Sequence, residues 1–210
     1  MILLSAVIAG SIAGLARAYV RRRKLQAPDI RHEWLVVVAF CAQLIFFGLP
    51  ISANIPDVFA RVALVSSMVV LVVFTWLNRK APGFGFLGLG LLLNFIVIVA
   101  NGGLMPISPH LIERYFPGTA GVTWNVGERM AHSKNIILPI AETHLYWLSD
   151  QFVLPDWIPY RVAFSIGDIF IGVGAFWLCW TCGGPVSHPQ EVKDESTKAF
   201  WRKNVNRTEF

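Results

Sequence analysis

Residues 58–100, VFARVALVSSMVVLVVFTWLNRKAPGFGFLGLGLLLNFIVIVA, decide the fold class of this chain. Two apolar runs, Val58–Leu77 and Gly83–Ala100, flank a short break that begins Asn78-Arg79-Lys80. Each run approaches the roughly 20 residues a helix needs to cross the hydrocarbon of a bilayer. In that medium a chain must satisfy its own backbone polar groups, and a helix does so. The pair therefore predicts a helical hairpin, with proline and glycine turning the chain and two cations held at the aqueous boundary.

Working outward, three more segments qualify: Ile2–Val20, Trp34–Leu49 and Arg161–Cys182. Trp34–Leu49 is short, so tilt or local thinning has to make up its length. The predicted fold is all-α, a polytopic transmembrane bundle of five spans occupying residues 1–182, with an outer loop over 101–160 and a tail over 183–210. Composition agrees. Of the 210 residues 55% are hydrophobic and only 15% charged, against about a quarter charged in soluble domains.

The net charge of +5 does not point to nucleic acid, because the cations sit in clusters at the ends of apolar blocks. Arg21–Lys24 with Arg31, Arg79 with Lys80, and the tail cations Lys193, Lys198, Arg202, Lys203 and Arg207 all fall on one side. Arg61, Arg114, Arg129, Lys134 and Arg161 are spread thinly over the other. The positive-inside rule then orients the chain with its N-terminus outside and C-terminus inside a bacterial cytoplasmic membrane. In the first segment the charges follow the apolar run, so it reads as an uncleaved anchor rather than a signal peptide.

Small residues mark helix contacts. Gly10 and Gly14 form a GxxxG pair in the first span, a spacing that lets helix backbones approach closely. Gly83, Gly85 and Gly88 spell GxGxxG, but the dinucleotide fingerprint needs a preceding strand in a soluble unit, so packing is the better reading. Ala163 and Gly167 add a pair on the fifth span. Cys179 and Cys182 form a CxxC without a thioredoxin-like context and read as small helix-face residues.

Gln43, Asn94 and Asp168 are the notable polar residues inside spans. The two amides are expected to bond between helices. Asp168 is the eighth residue of the fifth segment, about 10 Å along a helix, where a carboxylate needs a partner. Arg61, Arg161 and Lys134 are the candidates. Further polar chemistry gathers in the outer loop, where Asn101, Ser133, Lys134, Asn135, Glu142 and Asp150 join Asp168 as a structural or functional cluster.

No histidine lies in a span, which leaves intramembrane haem ligation without its usual donor. His110, His132 and His144 with Glu113, Glu128 and Glu142 match no tight ligand spacing, so no metal is predicted. No cofactor is predicted either; a bound lipid or pigment stays open. In the loop, Ile137, Ile140, Ala141, Leu145, Leu148 and Phe152 share one helical face, opposite Glu142, Tyr146, Ser149 and Asp150, and predict an amphipathic lid helix. Tyr146, Trp147, Trp157 and Tyr160 suit headgroup depth.

The ordered series NGGLMPIS (101–108), SKN (133–135), ETHLYWLSD (142–150) and FSIGDIFIGVG (164–174) resembles a family of bacterial polytopic membrane proteins of unknown function. That likeness implies a cytoplasmic-membrane location and transfers no activity. Asp150, an aromatic link and then SIGD are also similar, locally, to the end of lipoprotein signal peptidases. There two aspartates work together on a water, and the resemblance would make Asp150 and Asp168 that pair. The leading expectation is a non-catalytic accessory or scaffolding subunit of a larger membrane complex, with the bilayer and other membrane subunits as partners. An aspartyl peptidase-like enzyme, and a small transporter or ligand-binding protein, are the alternatives.

Overall fold

The computed structural model describes residues 2–22, 25, 28–50, 52, 55–115, 125–130, 133–155, 157–158, 162–183. The tail over 184–210, with its cations, and Arg23, Lys24, His132, Tyr160 and Arg161 lie outside the described residues. Five long helices coincide with the five apolar segments: α1 (Ile2–Val20), α2 (Trp34–Gln43), α3 (Asp57–Leu77), α4 (Phe84–Ala100) and, after the loop, α6 (Ile166–Thr181). A π-helical turn, Leu44–Gly48, extends α2. Two helices are long and apolar enough to cross a membrane, with windows Leu3–Val20 and Asp57–Leu77; the other three are shorter and apolar.

The helices are neighbours in the order α1, α6, α4, α3, α2, so the last helix inserts between the first and the fourth. Close backbone approach makes that insertion possible. A Cβ on Gly10 would stand 2.8 Å from the Phe176 carbonyl, and one on Gly14 would overlap the Cys179 carbonyl. The GxxxG pair is therefore used within the chain, and Cys179 is its packing partner. Between α4 and α6, Gly83 faces Gly174 and Gly90 faces Gly167, each against the other's backbone. Gly88 lies against Thr75 of α3, whereas a Cβ on Gly85 would meet nothing within 4 Å. Among the described residues Gly85 is thus not a packing residue, because it is exposed and nothing lies against it.

These contacts make α1 parallel to α6 and the remaining neighbours antiparallel. One end of the row gathers the basic residues Arg21, Arg22, Arg31, Arg79 and Lys80. There Asn78 staples the 28–33 segment to α3, accepting from Arg31 N (2.8 Å) and donating to Arg31 O (2.9 Å). The other end carries the module that follows α4.

That module is not the expected lid helix. Residues 101–103 turn the chain away from α4, with Gly102 at φ 77° and Gly103 at φ 94°, a region that costs little only for glycine. β1 (Met105–Ile107) follows, then α5 (Pro109–Tyr115). β2 (Asn135–Ile137) pairs parallel to β1, with Met105 opposite Asn135. Beyond it the chain makes two 3-10 turns, Ile140–Glu142 and Tyr146–Leu148. A continuous helix fails here for local reasons. Pro139 lacks an amide hydrogen, Leu145 adopts φ 54°, and the amides of Asn135, Ile137 and Leu138 bond to Ser133, Glu128 and Ile107. Burial confirms it: Ile140 and Leu145 are exposed while Ser149 and Asp150 are buried, the reverse of the predicted faces.

A hairpin of β3 (Phe152–Val153) and β4 (Ala163–Phe164), with Phe152 opposite Phe164, returns the chain to α6. The fifth helix thus begins at Ile166, not 161, and Asp168 is its third residue rather than the eighth of a span. Arg129, its side chain 6% exposed, clamps the module to the bundle. It pairs with Asp57 at the start of α3 (2.8 Å) and donates to the carbonyls of Ser52 and Ile55.

Candidate functional site

The site is built where β1, β2 and the β3–β4 hairpin meet the ends of α2, α4 and α6. Pro106, which has no amide to offer β2, turns its carbonyl to the opposite edge and accepts from Asp150 N (3.3 Å). This bridge lays Asp150 beside Ile107 and buries its side chain to 1% exposure. Asn135 Nδ2 donates to Asp150 Oδ2 (2.9 Å). Ser133 Oγ donates to Asn135 Oδ1 (2.6 Å) and so fixes which way the amide faces. Lys134 Nζ stands 3.8 Å from the same Asp150 oxygen, near enough for Coulomb attraction but beyond a hydrogen bond. More than a third of the Lys134 side chain remains accessible.

Asp150 Oδ1 has no hydrogen-bond partner among the described residues, although it is buried. Arg129 Nη1 is in the same condition at the module's other edge. An unsatisfied buried polar atom costs about 1–3 kcal/mol, and more when charged. Burial pushes the Asp150 carboxyl above the usual carboxylate range, and Asp168 adds to the effect, while Lys134 and Asn135 oppose it. Burial alone would lower the Lys134 ammonium, yet Asp150 and Asp168 together hold it above its ordinary value. The two shifts agree because Lys134 answers to two carboxylates, whereas Asp150 has one ammonium beside it.

Asp168 itself is committed to structure. Ser165 and Asp168 form a capping box: Asp168 N donates to Ser165 Oγ (3.1 Å), and Ser165 N donates to Asp168 Oδ2 (3.2 Å). Asn94 on α4 ties the box to the neighbouring helix, donating from Nδ2 to Asp168 Oδ1 (2.9 Å) and accepting from Ser165 Oγ (2.8 Å). Among the described residues these neutral donors stand where a cationic partner was expected, and Arg161, one of the three candidates, lies outside those residues. Arg61 instead donates to the Gly102 carbonyl (2.8 Å), and Lys134 turns to Asp150.

The other expected cluster members separate. Asn101 caps α4 and staples the 140s turns, donating to the Val97 and His144 carbonyls and accepting from His144 N. Glu142 is exposed on its 3-10 turn. Gln43 bonds across to Ser67 on α3 (3.0 Å), as an interhelical amide should. Among the described residues no group of three His, Cys, Asp or Glu is placed to hold a metal ion. Ser165 was legible as the start of a Ser-x-x-Asp capping signature. Arg129 and the apolar residues of α2 carried no local signal.

Those α2 residues complete a cavity of ≈ 700 Å³. Phe40, Leu44, Phe47 and Leu64 form an apolar wall, and Ser133, Lys134, Asn135 and Asp150 a polar one.

A row of apolar helices, two of them long and apolar enough to cross a membrane, with a polar site in the module at one end, defines a helical protein with a lateral site. The chain belongs to the family of unknown function DUF5317, whose model matches residues 28–180. It is also similar to an uncharacterized protein of Thermotoga maritima, 28% identical over 116 residues. That match covers 52% of this chain and 58% of the relative, so the chain spans less than two thirds of the relative's length. No solved structure matches the chain.

Proposed function

We propose that this chain is a five-span protein of the bacterial cytoplasmic membrane, N-terminus outside and C-terminus inside, whose outer-face module binds an amphiphilic ligand. The observation that carries the reading is the two-sided lining of the ≈ 700 Å³ cavity, apolar along α2 and polar at Lys134, Asn135 and Asp150. Mostly apolar walls with a few convergent polar groups are the usual makings of a ligand site. Phe40 and Leu44 also remain exposed on the outside of α2, so a ligand's tail has a route from the bilayer. The orientation draws on the basic residues collected at the opposite end of the row.

The test is native mass spectrometry of the full chain released from mild detergent. Retained lipid, reduced in Leu44→Trp by a bulkier wall, supports the reading; a lipid-free protein at every detergent concentration excludes it.

A scaffolding role within a larger membrane complex is the second reading. Its support is α1, which packs on α6 and leaves Leu3, Leu4, Ile8, Ile12 and Leu15 open to lipid or to another subunit. Recovery of the chain alone and monomeric after gentle solubilisation would remove that role. A peptidase-like reaction has less support, because both Asp168 oxygens are engaged by Asn94 and the Ser165 amide. Abolished turnover of a membrane substrate in both Asp150→Asn and Asp168→Asn, with assembly intact, would restore it.

A further inference from the structure

The polar wall of the cavity has a specific deficit. Asp150 is 2% exposed, and its Oδ1 lacks a donor among the described residues while Oδ2 is held by Asn135. Beside it Lys134 Nζ makes no contact with Asp150 closer than 3.8 Å, so the ammonium keeps donors to spare. The site therefore lacks one donor at Asp150 and offers cationic donors a few ångströms away. A simple anion would satisfy Lys134 but meet the buried Asp150 and the nearby Asp168. A simple cation would satisfy Asp150 but meet Lys134.

Building on the amphiphile-binding reading, we infer that the ligand is a phospholipid with a zwitterionic headgroup, its N–H-bearing ammonium on Asp150 Oδ1 and its phosphate on Lys134. An ammonium with hydrogens is required, because the missing interaction is a hydrogen bond and a quaternary amine cannot donate one. Charge-assisted bonds of this kind are the stronger ones. The apolar wall at Phe40, Leu44 and Phe47 favours a lipid over the free headgroup.

The experiment loads the full chain into nanodiscs of a neutral carrier lipid and measures exchange of phosphatidylethanolamine, phosphatidylcholine and phosphatidylglycerol by native mass spectrometry. Phosphatidylethanolamine should be retained about tenfold over phosphatidylcholine, the value of one hydrogen bond to a charged group. Asp150→Asn should abolish that preference, and Lys134→Gln should weaken both phospholipids together. The comparison in the unaltered protein stands even if a variant fails to fold. Equal retention of all three lipids overturns the headgroup assignment but leaves the amphiphile site intact. Retention of none overturns both. Soluble phosphoethanolamine binding as tightly as the lipid overturns the lipid source.

Discussion

Asp150 and Lys134 give the site its pH dependence. The Asp150 carboxyl titrates above its ordinary value of 3.8, mainly through burial. The folded protein therefore holds this proton more tightly than the unfolded chain does. The cost of ionising Asp150 is absent below 3.8 and grows as pH rises through the raised folded value. Lys134 lies above 10.5, so its stabilisation is complete below that value and is lost as pH rises further. Asp150→Asn should keep the fold and the bond to Asn135, and should flatten the fall in thermal stability as pH rises above 3.8. Melting curves of both proteins in one detergent across that range would check it; parallel slopes would show that another group controls the response. Asp150 and Asp168 were both conspicuous in the sequence, but their roles were not. The serine three residues upstream carried a capping signal that the expectation of a span carboxylate passed over, whereas nothing near Asp150 announced that its partner would be Asn135.

At the scale of elements, the helices follow from hydropathy and their contacts from glycine. Gly14 meets the Cys179 backbone and Gly90 meets the Gly167 carbonyl, while Gly85 faces open space. Gly14→Ala and Gly90→Ala should each destabilise the chain, by about 1–3 kcal/mol as overpacking does. Gly85→Ala should be neutral or slightly stabilising, since alanine is the better helix former. Thermal unfolding of the three variants separates the cases, and an equal loss in all three would contradict the packing. Residues 137–152 show why spacing alone misled. Their apolar residues recur at helical intervals, yet Pro139 and the β1–β2 pairing impose extended chain and tight turns. Periodicity reports a helix only where the backbone is free to close its own hydrogen bonds.

For the whole molecule, sidedness is the testable property. The basic turns at Arg21, Arg31 and Arg79 lie at one end of the row, and the module with the strongly exposed Trp147 (72%) and Trp157 (82%) at the other. In a membrane, a cysteine at Trp157 should react with an impermeant maleimide applied to intact cells. One at Lys80 should react only after the membrane is opened. The reverse pattern would invert the proposed orientation. The number of apolar segments and the gathering of the described basic turns at one end of the row were legible because both depend on the transfer of individual residues between water and hydrocarbon. The order α1, α6, α4, α3, α2 was not, because it rests on backbone fit between helices distant in the chain, at Gly10, Gly14, Gly83 and Gly90.

By itself, then, the sequence determined five apolar helical segments, a basic end and a polar connector, all set by residue-by-residue solvation. Only the tertiary structure decided that the connector is a small strand-and-turn module, that Asn94 ties the Asp168 cap to the neighbouring helix, and that Asp150 is buried beside Lys134 on a cavity walled by α2. Those outcomes depend on which distant backbone groups complete one another's hydrogen bonds, and no local pattern encodes that.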